Sequence, residues 1–187
     1  MNNQTIKPGG QSPEVVSVVE MKSLAGKQSP IFSKDDRGKN QTVSMTNQNK
    51  QTVQRFIEEV WNNKNFNVLD EILHQDYSDY SFLPSVSPTK DGLIFWIRNT
   101  SAAFENTTRI ESIVADGDQV AVRILFTVTH IGTWRGIEAT GKQASIKGFR
   151  FFSFEGGKIM AHHALIDGEA LQTQLTEAYK GCEISKP

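Results

Sequence analysis

The chain has 187 residues, 37 % of them hydrophobic and 22 % charged, with a net charge of −1. That is one domain's worth of core with room for an extension, and the balanced charge gives no electrostatic ground for a nucleic-acid or membrane partner. The single cysteine, Cys182, excludes an internal disulfide and a multi-cysteine zinc site. No apolar run nears the about 18–20 residues of a spanning helix. Val15–Val19, flanked by Glu14 and Glu20, is too short for a signal-peptide core, so the expected location is cytoplasmic.

Residues 1–45 hold one aromatic, Phe32, among Ser, Gln, Asn, Lys and Gly, with breaks at Pro8-Gly9-Gly10, Ser12-Pro13 and Ser29-Pro30. Such a stretch buries too little apolar surface to offset chain entropy and reads as a disordered or loosely ordered extension. The folded domain is expected over 46–180, with a tail at 181–187. Thr46 predicts an N-cap. Val53, Phe56, Ile57, Val60 and Trp61 then recur at helical spacing and form one apolar face. Asn62 to Asn65 ends that helix. Phe66, Leu69, Ile72 and Leu73 predict a second, shorter helix, and Asp91 caps a third running to about Phe104.

From Arg109 the period changes to two. Asp116-Gly117-Asp118 is a turn between one strand and another in which Val120, Val122, Ile124, Phe126 and Val128 share a face. A glycine-punctuated connection, Gly132 to Gly141, leads to a strand over about 143–154. Glu155-Gly156-Gly157 turns it back into 158–167, and a terminal helix follows with Leu171 and Leu175 on one side. Helices followed by a meander of long strands predict an α+β fold. Strands of about 12 residues span roughly 40 Å and must bend; Gly148 is the expected site of a bulge or bend. The expected architecture is a curved antiparallel sheet, a cone-shaped half-barrel closed by the N-terminal helices and enclosing a pocket.

Several of these residues form an ordered set. Asp118 to Arg123, Thr129-His130-Ile131-Gly132, Gly136, Thr140-Gly141-Lys142, Gly157-Lys158-Ile159, Asp167 and Gln174-Leu175 follow one another at the spacing of the SnoaL-like polyketide cyclases. The helix carrying Phe56 and Trp61 and the segment Asp76-Tyr77-Ser78-Asp79-Tyr80 also resemble that family, which belongs to the nuclear-transport-factor-2-like superfamily. The resemblance covers about residues 48–177. It implies the cone fold, a homodimer and an acid/base aspartate at the end of the last strand, where Asp167 stands. The family's tryptophan four residues earlier is His163 here, and its histidine near the end of the first helices is Tyr80.

Strand alternation counted from Ile159 puts Ala161, His163, Leu165 and Asp167 on one face. If that face lines the cavity, Asp167 and His163 line it together, and burial raises the aspartate's pKa toward that of a proton shuttle. The other reading of Asp167 is a cap on the following helix. His162 and His163 point to opposite faces, so a metal site is not expected. Arg123 is either an anion anchor inside the cone or a surface charge, and the surface or an ion pair is the expected place. Trp61, Tyr77, Trp96, His130 and Phe149 are the candidate ligand-binding residues, suited to an apolar, polycyclic small molecule. The expected function is a cofactor-free cyclisation or isomerisation of an apolar carbonyl compound, with Asp167 as acid/base, His163 as its partner and Tyr80 donating to the carbonyl. The alternative is a non-catalytic ligand carrier using the same pocket. An epoxide-opening hydrolase would need a more polar, water-positioning set. An apolar outer sheet face, at Phe149/Phe151 or Phe152/Phe154, is expected to pair two copies.

Overall fold

The computed structural model describes residues 34–177; residues 1–33 of the extension expected at 1–45, the tail at 181–187 and Cys182 lie outside them. Residues 34–45 of that extension are helical. Helix α1 spans Lys34–Arg55 and continues as a π-helical stretch, Phe56–Asn62. Thr46 is therefore an interior helical residue and not an N-cap. The apolar face is buried as its spacing predicts, with Val53, Phe56, Ile57, Val60 and Trp61 all in the core. At the end of this face Asn62 ties the helix to the sheet: its amide donates to Thr108 O and its carbonyl accepts from Thr108 N–H.

A 3-10 turn, Phe66–Val68, and a short helix α2, Leu69–Ile72, replace the second predicted helix. The chain then becomes strand β1, Leu73–Asp79, where no strand is legible in the sequence. Only Leu73, Tyr77 and Asp79 of β1 are buried, a pattern too polar to announce itself. Helix α3 spans Lys90–Ala103 with its N-cap geometry at Thr89. Asp91 does not cap it; it sits in the first turn, where its charge still meets the positive end of the helix.

The remaining strands are β2, Phe104–Asp116; β3, Gln119–His130; β4, Gln143–Glu155; and β5, Lys158–Ile166, followed by helix α4, Gly168–Thr176. Their order is β1-β5-β4-β3-β2, with β1 parallel to β5 and all other pairs antiparallel. The fold is thus the expected α+β type, an open, cone-like sheet with helices on its inner face, and the parallel edge strand makes that sheet mixed. Gly156 and Gly157, at φ 57° and 79°, form the two-residue turn between β4 and β5 that only such residues accept readily.

No bulge lies at Gly148. Pairing between β3 and β4 runs without a shift from Gln119↔Ser153 to Thr129↔Gln143. The irregularities are elsewhere: Ile110 and Ser112 face the consecutive residues Ile124 and Arg123, leaving Glu111 extra, and Phe154 and Ser153 face Ile159 and Ala161, leaving Met160 extra. Each added residue shifts the side-chain alternation by one and so exchanges the two faces of its strand. Gly148 serves close packing instead. A Cβ there would lie 2.4 Å from Ile166 Cδ1 and 3.1 Å from Leu165 O.

Helices cover the inner face along its length. At one end α1, its π-helical continuation and α3 bury Phe56, Trp61, Leu93 and Ile97 against Val120, Val122, Ile124, Phe152 and Ile159. At the other end Leu171 and Leu175 of α4 pack on Phe104, Phe126, Val128 and Ile146. Gln174 fastens α4 to β4 by bonding both the N–H and the C=O of Ser145. Ile166, which fills the space over Gly148, contacts both groups. Gly148→Ala is therefore expected to overpack this junction and to cost about 1–3 kcal/mol. Urea denaturation checks it: the midpoint should fall at an unchanged slope.

Candidate active site

The bulge at Met160 decides what enters the core. Past it, His162 points inward and His163 outward, the reverse of the phase counted from Ile159. Parallel pairing of β1 with β5 places Asp79 directly beside His162. On β4, the inward row Ala144, Ile146, Gly148, Arg150, Phe152 and Phe154 delivers a guanidinium into the same region. Asp79, His162 and Arg150 are at most 3 % exposed.

These groups form one chain of contacts. Asp79 Oδ2 lies 2.6 Å from His162 Nδ1, and His162 Nε2 lies 3.4 Å from Arg150 Nη1. The Tyr77 hydroxyl donates to Asp79 Oδ2 at 3.3 Å, and Ser81 N–H donates to Asp79 Oδ1 at 2.8 Å. Phe152 stacks on the imidazole at 4.8 Å and Phe56 meets it edge-on at 5.6 Å. The Arg150 guanidinium lies 4.0 Å from the Trp61 ring centroid. Among the described residues no carboxylate pairs with Arg150 directly, and its Nε has no partner.

The charges follow from this geometry. Burial disfavours an ionised Asp79, yet the hydrogen bonds from His162 and Ser81 outweigh it and hold the carboxyl below its ordinary value. Burial pushes the His162 imidazole down, and the nearby Arg150 charge adds to that against the pull of Asp79. Burial also brings Arg150 down to about 10, which leaves it charged near neutrality. Tyr77 is held well above its ordinary value by burial and by Asp79, so its hydroxyl stays a donor. The cluster is carboxylate, neutral imidazole and guanidinium. Nδ1–H faces Asp79, and Nε2 keeps its lone pair toward Arg150, since a protonated Nε2 would set donor against donor.

The residues singled out in the sequence divide into separate groups. Trp61 and Tyr77 belong to the buried cluster. Asp167 does not: it is exposed, and its Oδ1 accepts from Ala170 N–H at 2.8 Å as the N-cap of α4. His163 lies on the outer face, stacked on the exposed Tyr80 at 4.9 Å. Phe149 is also on that face, in a groove of about 470 Å³ that His163 and Leu165 help to line. The bulge is the physical reason that His163 faces outward and not into the core, and Asp167, beyond the end of β5, is taken up in capping α4. Trp96 is half-buried against Phe82, and His130 is buried beside Phe104, with Nδ1 bound to Thr140. Arg123 is a surface residue in an ion pair with Glu111.

The sequence profile of the SnoaL-like polyketide cyclases matches residues 51–175. The chain belongs to that family. Several solved structures share the fold. TsrD from Streptomyces laurentii is 25 % identical with a TM-score of 0.62, over 69 % of this chain and 95 % of that one. IdmH from Streptomyces antibioticus is 23 % identical at 0.61, over 68 % and 98 %. A SnoaL-like polyketide cyclase from Agrobacterium tumefaciens is 18 % identical at 0.58, over 68 % and 97 %. No curated protein matches.

Within this SnoaL-like chain the residues missed from sequence are Asp79, His162 and Arg150. Arg150 carried a signal, because it stands two residues from Phe152 and four from Phe154 and Ile146 in an otherwise apolar row. His162 carried none, since nothing in the sequence marks the extra residue at Met160. Acid stability should report the cluster. Between its native and unfolded values His162 binds more protons in the unfolded chain, so stability should begin to fall as pH drops through about 6.5. Asp79, depressed in the native state, should add a second loss as pH passes below about 3.9 and through its native value. Melting temperatures between pH 8 and 3 should show both steps, and His162→Gln should remove the first.

Proposed function

We propose that this SnoaL-like protein is a cofactor-free acid–base enzyme that cyclises or isomerises an apolar carbonyl compound through an enol or enolate, with His162 moving the proton. The observation that carries the reading is the buried Asp79–His162 pair. Asp79 fixes the tautomer by taking Nδ1–H and stabilises the imidazolium once formed. Nε2, which faces Arg150 Nη1 at 3.4 Å, becomes the base for a substrate C–H when the Nη1–H turns to the substrate oxygen. The apolar walls, Phe56, Phe152 and Trp61, suit a substrate folded into a near-attack shape. Family membership supports a small-molecule substrate. The segment 80–89 lies next to the pair, since Ser81 N–H and Pro88 O both bond Asp79.

The test needs no native substrate. Loss of the α-hydrogens of an aryl β-diketone to D2O can be followed by NMR. His162→Gln should slow it by roughly 10²–10⁴, whereas Asp167→Asn, which retains a capping oxygen, should leave it unchanged. Loss in Asp167→Asn with full activity in His162→Gln would move the proton chemistry to Asp167. Exchange no faster than in buffer would leave a carrier that binds without chemistry.

We also infer a homodimer through the outer face. Val114, Phe149, Phe151 and Leu165 are 61, 57, 44 and 72 % exposed there, an apolar patch that helices do not cover. Light scattering should give about twice the 20.9 kDa chain mass, and Phe149→Asp should shift it to the monomer.

A further inference from the structure

Arg150 and Trp61 leave an unanswered demand in the core. Both are donor-only side chains that need acceptors when buried. Arg150 is 3 % exposed and Trp61 5 %, and neither Arg150 Nε nor Trp61 Nε1 has a partner among the described residues. The two groups are in contact, with the guanidinium carbon 4.0 Å from the ring centroid. The nearest negative charge, Asp79, is no remedy. Its Oδ2 is taken by His162 and Tyr77 and its Oδ1 by Ser81, and His162 stands between it and Arg150. A buried cation with an open Nε–H, stacked on a buried ring whose own N–H is also open, calls for a negatively charged oxygen.

We propose that Arg150 and Trp61 form an anion site that receives a carboxylate or enolate oxygen of the ligand in the core, next to His162. This rests on the acid–base reading above for its enolate form, and the chemistry balances. The C–H bond breaks, its proton goes to His162 Nε2 as Arg150 Nη1–H turns from that nitrogen to the substrate oxygen, and the electron pair moves onto the carbonyl oxygen. The resulting cluster holds two anions, Asp79 and the enolate, and two cations, the imidazolium and Arg150. The buried site therefore has the same net charge before and after transfer, which avoids the cost of creating an unpaired charge in the core. A substrate that carries its own carboxylate would use the same two donors in its ground state.

Binding can be read separately from turnover. In the full chain, the Trp61 indole N–H and Arg150 Nε–H signals are assigned by their absence in Trp61→Phe and Arg150→Met. They are then followed during titration with benzoate, benzamide and 4-nitrophenol. Benzoate or 4-nitrophenolate should shift both signals saturably, with benzamide at least tenfold weaker. Saturation by benzoate identifies a carboxylate-bearing ligand, and saturation by 4-nitrophenolate alone identifies an enolate site. Trp61→Phe keeps the ring over Arg150 and removes one donor, so affinity should fall about tenfold, the worth of a charge-assisted hydrogen bond. That variant carries the test even if Arg150→Met does not fold. The proposal is overturned if neither anion moves the two signals, as expected if only water fills the site, or if Trp61→Phe binds as tightly as the parent. Anion binding without proton exchange would sink the acid–base reading and leave this site standing.

Discussion

The hydrogen bond between Asp79 and His162 is the contact on which the rest of this molecule turns. It joins the edge strand β1 to β5 by side chains as well as main chain, 83 residues apart in sequence. It also sets the charge of the core. With Asp79 ionised and hydrogen-bonded, a neutral His162 can lie against a charged Arg150, and the three together carry no net charge. Without the carboxylate, the guanidinium would stand alone in an apolar region, a situation that proteins rarely tolerate. The aromatic shell of Phe56, Phe152 and Trp61 excludes water from the same contacts and so strengthens them.

Burial of this kind is a poor way to gain stability, because desolvating two charges costs about what their attraction returns. On the proposed acid–base reading, its use lies in readiness. A base whose tautomer is already set and a cation already stripped of water need no rearrangement when a proton moves. Orphaned donors at Arg150 and Trp61 fit the same logic, since a site prepared for charge that appears during reaction leaves its donors open beforehand. The π-helical continuation of α1 carries Phe56, Ile57, Val60 and Trp61, all buried, on the side of the cluster.

The two faces of the sheet divide the work. The inner face is filled from end to end, by α1 and α3 over the polar cluster and by α4 over the second group of apolar residues. Asp167 and Gln174 hold α4 in place, one as its cap and one through Ser145, so two residues of the ordered set make structural hydrogen bonds here. The outer face keeps large apolar side chains and the His163–Tyr80 stack in the open.

Much was determined by the sequence alone. The helical face from Val53 to Trp61, the strands over 119–130 and 143–155, and the turns at Gly117 and Gly156-Gly157 follow from local spacing and turn chemistry, which tertiary contacts here only reinforce. The ordered motifs led to the family for the same reason, because they record short-range features. What the tertiary structure decided is which residues meet. A single extra residue at Met160 exchanged His163 for His162, and a parallel partner that no periodicity announced brought Asp79 beside it. Alternation along a strand is a local count, correct until a bulge resets it. The bulge in turn is fixed by the pairing of β5 with its neighbours on both sides, so the buried cluster exists only once the sheet has formed.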